Sequence, residues 1–262
     1  MSLEWLIEIV KDNWDMFLRG AGMTMLIATI STVVGAIIGL LIGVVETVPK
    51  QKNGFKKWFL RIIKIILRVY VEFFRGTPMM VQAMVVFFGL PLIMQSIKAT
   101  IGTDFGIDGD MNRTFAAVLV VSLNTGAYMA EIVRGGVLSI DKGQFEAAQA
   151  IGMNHWKTMI HVVLPQVLRN ILPATGNQFV MNIKDTSVLN VIGVTELFFT
   201  TKSIAGANFR YFESFFIACL VYLVLTMVVT QILRFFERKL GGDANYQMLD
   251  IPQPRRTEGP LK

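Results

Sequence analysis

The 262-residue sequence holds a single cysteine, two histidines and few charges. Cys219 lies in an apolar run and by itself supplies neither a disulfide framework within the chain nor a thiolate metal site. His155 and His161 are six residues apart. That spacing puts them on different faces of a helix, which argues against shared metal ligation. No G-x-x-x-x-G-K-[ST] run occurs, so the chain encodes no nucleotide-binding P-loop, and neither G-x-S-x-G nor H-E-x-x-H is present. Charged residues make up 17%, against about 25% in an ordinary soluble domain. Little charge excludes a disordered chain, and the missing constellations make a membrane enzyme a poor reading.

What is abundant is apolar. Hydrophobic residues reach 53% and the mean hydropathy is +0.53. A helical span needs ~20 mostly apolar residues. Residues 20–45, 76–97 and 214–233 carry no charge; 114–130 is uncharged and reaches full length through Val133; 160–183 is a fifth, less apolar candidate with Arg169, Pro165 and Pro173. The fold class expected is all-α, a polytopic membrane protein with five transmembrane helices. Acidic Glu4, Glu8, Asp12 and Asp15 stand where a cleavable signal would be basic, so residues 1–19 read as an outer amphipathic segment. Residues 20–240 form the transmembrane domain, and the polar stretch 241–262 is a cytoplasmic tail.

Five spans put the termini on opposite sides. With the N-terminus outside, residues 46–70, 134–169 and 234–262 hold 17 basic residues, and the outer pieces hold 7. The positive-inside bias therefore predicts the N-terminus outside and the C-terminus cytoplasmic. The outer loop 99–112 contains Asp104, Asp108 and Asp110. Lys57, Arg61, Lys64, Arg68 and Arg75 make a basic stripe ahead of the second span. Two readings stand: an interfacial helix with snorkelling basic residues, or one long tilted span entered near Phe59 with Arg75 buried. The second is slightly favoured. In the first span, Gly35, Ala36, Gly39 and Gly43 give small-x-x-x-small spacings. Packing within the chain is preferred over a dimer seam.

Residues 139–165 are not an ordinary loop. Asp141 is placed to cap a short helix, with Gln144 at the return position of a capping box. Phe145, Ala148 and Ile151 share a face, and Gly152 is a natural left-handed stop. Asn154 caps a second short helix with Trp156, Met159 and Ile160 on its apolar side. Few basic residues accompany these faces, which favours a protein docking surface over a lipid-lying helix.

The run Glu146-Ala147-Ala148, Gly152 after three residues, then Val162-x-Leu164-Pro165 after nine more, resembles the EAA loop of ATP-binding cassette (ABC) importer permeases. Val162 for Ile is the one departure. Residues 71–78 (VEFFRGTP), 126–136 (GAYMAEIVRGG) and 183–187 (IKDTS) are similar to the polar amino acid permeases of the histidine/glutamine/arginine uptake type. The resemblance implies a type I ABC importer-like fold and a bacterial cytoplasmic (inner) membrane location. It implies no cofactor in this chain, ATP and Mg being bound by a partner ATPase. It also implies coupling to that ATPase dimer through Glu146, Ala147, Ala148, Gly152, Leu164 and Pro165. Further partners implied are a second permease chain, identical or not, and an extracytoplasmic amino-acid-binding protein.

A zwitterion crossing hydrocarbon needs polar partners for both charges. Gln178, Asn182 and Asp185 lie at i, i+4 and i+7, as do Asn124, Tyr128 and Glu131. Glu72 and Arg75 are further intramembrane charges. Glu72, Asn124, Gln178, Asn182 and Asp185 are thus candidate substrate contacts. Helix-to-helix hydrogen bonding is the weightier alternative for the amides, and Glu131 with Arg134 is placed to pair near the cytoplasmic face. The competing function is an ATP-independent secondary transporter or channel. It predicts an inverted repeat and no docking loop, and the sequence offers the reverse.

Overall fold

The computed structural model describes residues 3–49, 54–102 and 111–240, and these are helical throughout their regular structure. The tail 241–262, Asp104, Asp108 and Asp110 of the outer loop, and Lys50 and Lys52 lie outside the described residues. The helices are α1 (Leu3–Thr47), α2 (Gly54–Gly76), α3 (Met79–Ile101), α4 (Arg113–Leu138), α5 (Lys142–Ala150), α6 (His155–Thr158), α7 (Leu164–Asp185), α8 (Leu197–Asn208) and α9 (Tyr211–Leu240). A π-turn, Met159–Val163, joins α6 to α7, and a 3-10 turn, Thr186–Ile192, follows α7.

Among the described residues, α1, α3, α4 and α9 are long and apolar enough to cross a bilayer. A fifth span results if residues 155–192 and α8, bent by 56°, are one interrupted span. The chain is thus an all-helical membrane protein with four to five candidate spans.

α4 is the hub. Its small and β-branched residues, among them Ala116, Ala117, Val120, Val121, Ala127 and Val133, are buried. They let α1, α2, α3 and α7 close around it. The closest contact is with α1. A Cβ on Gly35 would meet Thr125, one on Gly39 Met129, and one on Gly43 Val133. The two helices therefore run parallel, with residue i of α1 against residue i+90 of α4 over more than two turns. The glycine spacing serves packing within the chain, as the sequence favours. On Gly39 the added carbon would lie 2.7 Å from the Met129 carbonyl carbon and 2.8 Å from the Ala130 nitrogen. Backbone cannot yield as a side-chain tip does, so Gly39→Val should cost about 3 kcal/mol or more. In detergent, the unfolding midpoint of the variant should fall by roughly 10 °C; an unchanged midpoint would show that the seam tolerates separation.

α1 has 45 residues, about 67 Å at 1.5 Å per residue, and it runs through residues 19 and 20 without a break. Its first turns, level with nothing on α4, bury Ile9 and Phe17 against Leu197, Ile204 and Ile217 of α8 and α9. Trp5 lies beneath the Arg210 guanidinium, 4.3 Å from its carbon to the ring centre. At the other end, the Lys64 ammonium donates to the carbonyls of Glu46 and Val48, each at 2.7 Å, capping α1 with a residue of the basic stripe.

The second span is corrected by the structure. One long tilted span with Arg75 buried is the favoured expectation. Instead the helix breaks between α2 and α3, and the Arg75 side chain is 41% exposed. Pro78 has an extended backbone (φ −64°, ψ 135°). It has no N–H to continue α2, and it disfavours a helical residue before it.

Candidate functional site

The break leaves carbonyls at the end of α2 without helical partners, and two side-chain amides take them up. Gln82 Nε2 donates to Phe74 O (2.8 Å), Thr77 O (2.9 Å) and Thr77 Oγ1 (2.8 Å). Asn124 Nδ2 donates to Phe74 O and to Gln82 Oε1, both at 3.1 Å. Asn124 lies near the middle of α4, so the break sits at about half the depth of that span. On the α3 side, Val81 and Gln82 are the first amides bonded to the Pro78 carbonyl. The Met79 and Met80 amides precede that turn, at the positive end of the helix dipole.

A cavity of about 320 Å³ opens at this point. Thr77, Met79 and Met80 line one side, Asn124 and Tyr128 another, and Gln178 and Asp185 of α7 a third. Asp185 is half-buried and has no hydrogen-bond or ion-pair partner among the described residues. Gln178 donates its amide nitrogen to Asn182 Oδ1 at 3.2 Å, and its carbonyl accepts no hydrogen bond among the described residues. Asn182, by contrast, is outside the cavity lining. It is 2% exposed, donates to Thr32 Oγ1 at 2.8 Å and accepts from Thr125 and Gln178, tying α1, α4 and α7. Glu72 sits on an exposed face of α2 away from the cavity. Of the five sequence candidates the cavity thus gathers Asn124, Gln178 and Asp185.

One turn further along α4, Arg134 grips Glu131 through two nitrogens at 3.0 and 3.3 Å and reaches Glu46 at 3.9 Å. Arg75 approaches the same Glu131 at 4.0 Å and covers the Tyr128 ring at 5.5 Å. Partial exposure keeps each pair individually weak; together they join α1, α2 and α4 below the cavity.

Residues 139–165 form two short helices around a bend. Asp141 caps α5 by accepting from Gly143 N at 2.7 Å. The capping box does not close, because Gln144 turns away and accepts from Gln166 at 3.4 Å. Gly152 takes φ +80°, with Gly152 N bonded to Gln149 O and Met153 N to Ala148 O, which is a Schellman ending. Asn154 caps α6 through Lys157 N at 2.9 Å. Ala148 is buried and Phe145 half-buried, whereas Ile151 is 78% exposed and does not join them. Glu146 and Ala147 are also exposed, as are Trp156 and Ile160. Leu164 donates its N–H to Met159 O, five residues back. Pro165 then has no N–H to give, which accounts for the widened turn. So Glu146 and Ala147 face outward, Ala148 is buried and Leu164 half-buried at the two ends of the loop, and Pro165 is exposed in the first turn of α7.

Sequence reasoning missed two residues here. Gln82 is signalled by its place four residues after Pro78, where a side-chain amide reaches the orphaned carbonyls. Glu196 is fully buried. Its carboxyl oxygens accept from Phe198 N (2.9 Å), Phe199 N (2.7 Å), Tyr222 OH (2.9 Å) and Thr24 Oγ1 (3.4 Å), locking α8 to α1 and α9. A glutamate before an apolar run is an uncommon N-cap, and no local pattern announces it.

The family model described as binding-protein-dependent transport system inner membrane component matches residues 35–242. The chain belongs to that family. It is similar to the glutamine transport system permease protein GlnP of Escherichia coli (strain K12), 38% identical over 240 residues that cover 92% of this chain and 99% of that protein. It is also 37% identical over 226 residues to the arginine transport system permease protein ArtQ of Bacillus subtilis (strain 168), covering 86% and 93%. In three dimensions it resembles the crystal structure of an amino acid ABC transporter with histidines. There the TM-score is 0.72 at 30% identity, over 91% of this chain and all of that one. The chain is therefore a multi-pass inner-membrane permease subunit of the ABC importer class, and the secondary-transporter reading is not favoured.

Proposed function

We infer that this permease subunit carries a polar or charged amino acid, and that the cavity at the α2–α3 break is where the solute pauses. The observation that carries this reading is the unpaired Asp185 carboxylate lining the same cavity as the first amides of α3. A zwitterion presents an ammonium group to the former and a carboxylate to the latter, and interrupted helices at mid-membrane serve transporters in this way. The volume lies at the low end for small-molecule sites, which suits a solute of amino-acid size.

The N-terminus faces outward and residues 139–165 face the cytoplasm, in line with the basic-residue bias. An extracytoplasmic binding protein delivers the amino acid to a pair of permease chains. A separate ATPase dimer, which binds ATP and Mg, grips the loop at Glu146, Ala147 and Gly152. Its closure moves the spans, and the free energy comes from that partner.

The test is reconstitution of the chain in liposomes with its ATPase and binding protein. ATP hydrolysis should rise when the loaded binding protein is added, and labelled amino acid should accumulate only with ATP inside the ATPase compartment. Concentrative uptake by the permease chain alone would overturn the reading.

A further inference from the structure

A second cavity, of about 630 Å³, lies between α1 and α7 with α4 as its floor and is distinct from the one at the helix break. Its walls are apolar: Ile37 and Leu40 of α1, and Leu168 and Leu172 of α7. Its charged lining residues are Arg169 of α7 and Lys239, the penultimate residue of α9. Both are exposed, and neither has a hydrogen-bond or ion-pair partner among the described residues. The acidic group nearest on α9, Glu237, lies against Gly176 rather than in this lining.

The two ends of the groove sit at different depths. Ile37 lies ten residues before the end of α1, about 15 Å along the helix and half of a ~30 Å hydrocarbon layer. Arg169 lies beside Val167 and Ile171, which pack on Gly136, two residues from the end of α4. The groove therefore spans one leaflet, greasy toward the bilayer centre and doubly cationic at the headgroup level. A glycerophospholipid has that same polarity, and its phosphate supplies the anion the two side chains lack.

We propose that this groove is a binding site for one anionic phospholipid of the leaflet on the side of residues 139–165, held by its phosphate on Arg169 and Lys239 and by an acyl chain between α1 and α7. Basic pockets between helices on the cytoplasmic side are suited to such headgroups. The site requires both parts: a surface charge without the slot would concentrate lipid without holding it.

Three forms of the full chain, purified from membranes in mild detergent, distinguish the cases: unaltered, Arg169→Gln/Lys239→Gln, and Leu172→Trp. Retained lipid is counted by native mass spectrometry after exchange against phosphatidylglycerol or phosphatidylcholine. The unaltered chain should keep one phosphatidylglycerol in preference to phosphatidylcholine. The double variant should bind it about 25-fold more weakly, at about fivefold per basic side chain. Leu172→Trp keeps both charges but fills the slot, and it should lose the lipid as well while its unfolding midpoint in lipid-free detergent stays unchanged. Equal retention of the two lipids by the unaltered chain would overturn the proposal. So would full phosphatidylglycerol retention by Leu172→Trp, which would show charge attraction at an open surface.

Discussion

Asp185→Asn should lower amino-acid uptake by two orders of magnitude or more, with normal amounts of the chain in the membrane. Among the described residues the carboxylate makes no hydrogen bond or ion pair, and its charged neighbour is the adjacent Lys184, so removing its charge orphans no hydrogen-bonded group there, and the fold should persist. What disappears is the counter-charge for an ammonium group away from bulk water, where charge-assisted hydrogen bonds are worth most. At about 3 kcal/mol the loss is near 100-fold. Initial uptake rates in proteoliposomes at saturating loaded binding protein, alongside basal ATP hydrolysis, provide the check. Basal hydrolysis should be retained. Unchanged uptake would remove Asp185 from the pathway and leave the cavity without a cation site.

Gly152→Val should abolish stimulation of the partner ATPase while the spans stay folded. Nothing lies within 4 Å of where a Cβ would be, so no clash is involved. The cost comes from φ +80°, which an L-residue with a branched side chain scarcely adopts. The Schellman ending would open, and Glu146 and Ala147 would turn relative to α4. Gly152→Asn tolerates the left-handed region and should restore most of the stimulation. Stimulated hydrolysis with the valine and asparagine variants measures the contrast. Equal activity of the two would show that the bend does not set the docking geometry.

Much of this architecture is legible in the residues. The uncharged runs announce α1, α4 and α9 because hydrocarbon enforces apolar length. Asp141, Gly152 and Asn154 announce the bent loop because caps are local chemistry. What escapes is long-range. Gln144 belongs to a capping box by spacing, yet it finds Gln166 instead. Asn182 and Gln178 share a helix stripe, but Thr32 and Thr125 claim the first and the cavity keeps the second. Glu196 is chosen by the approach of Thr24 and Tyr222 from distant parts of the chain, which no neighbouring residue foretells. The α2–α3 break is half legible: Pro78 is visible, but the side chains that make an interrupted helix tolerable come from one turn on and from another helix.

The loop and α4 are separated by only Ser139, Ile140 and the capping Asp141, and Ile140 is buried against the α4 end. That junction has no slack. A partner that displaces α5 must tow α4, and α1 with it, since glycines hold the two in register. Asn124 rides on that same rod and clasps Phe74 across the gap. A thrust from below would thus tug at the clasp about 20 Å away, with no relay of intermediate side chains to fatigue or misroute it.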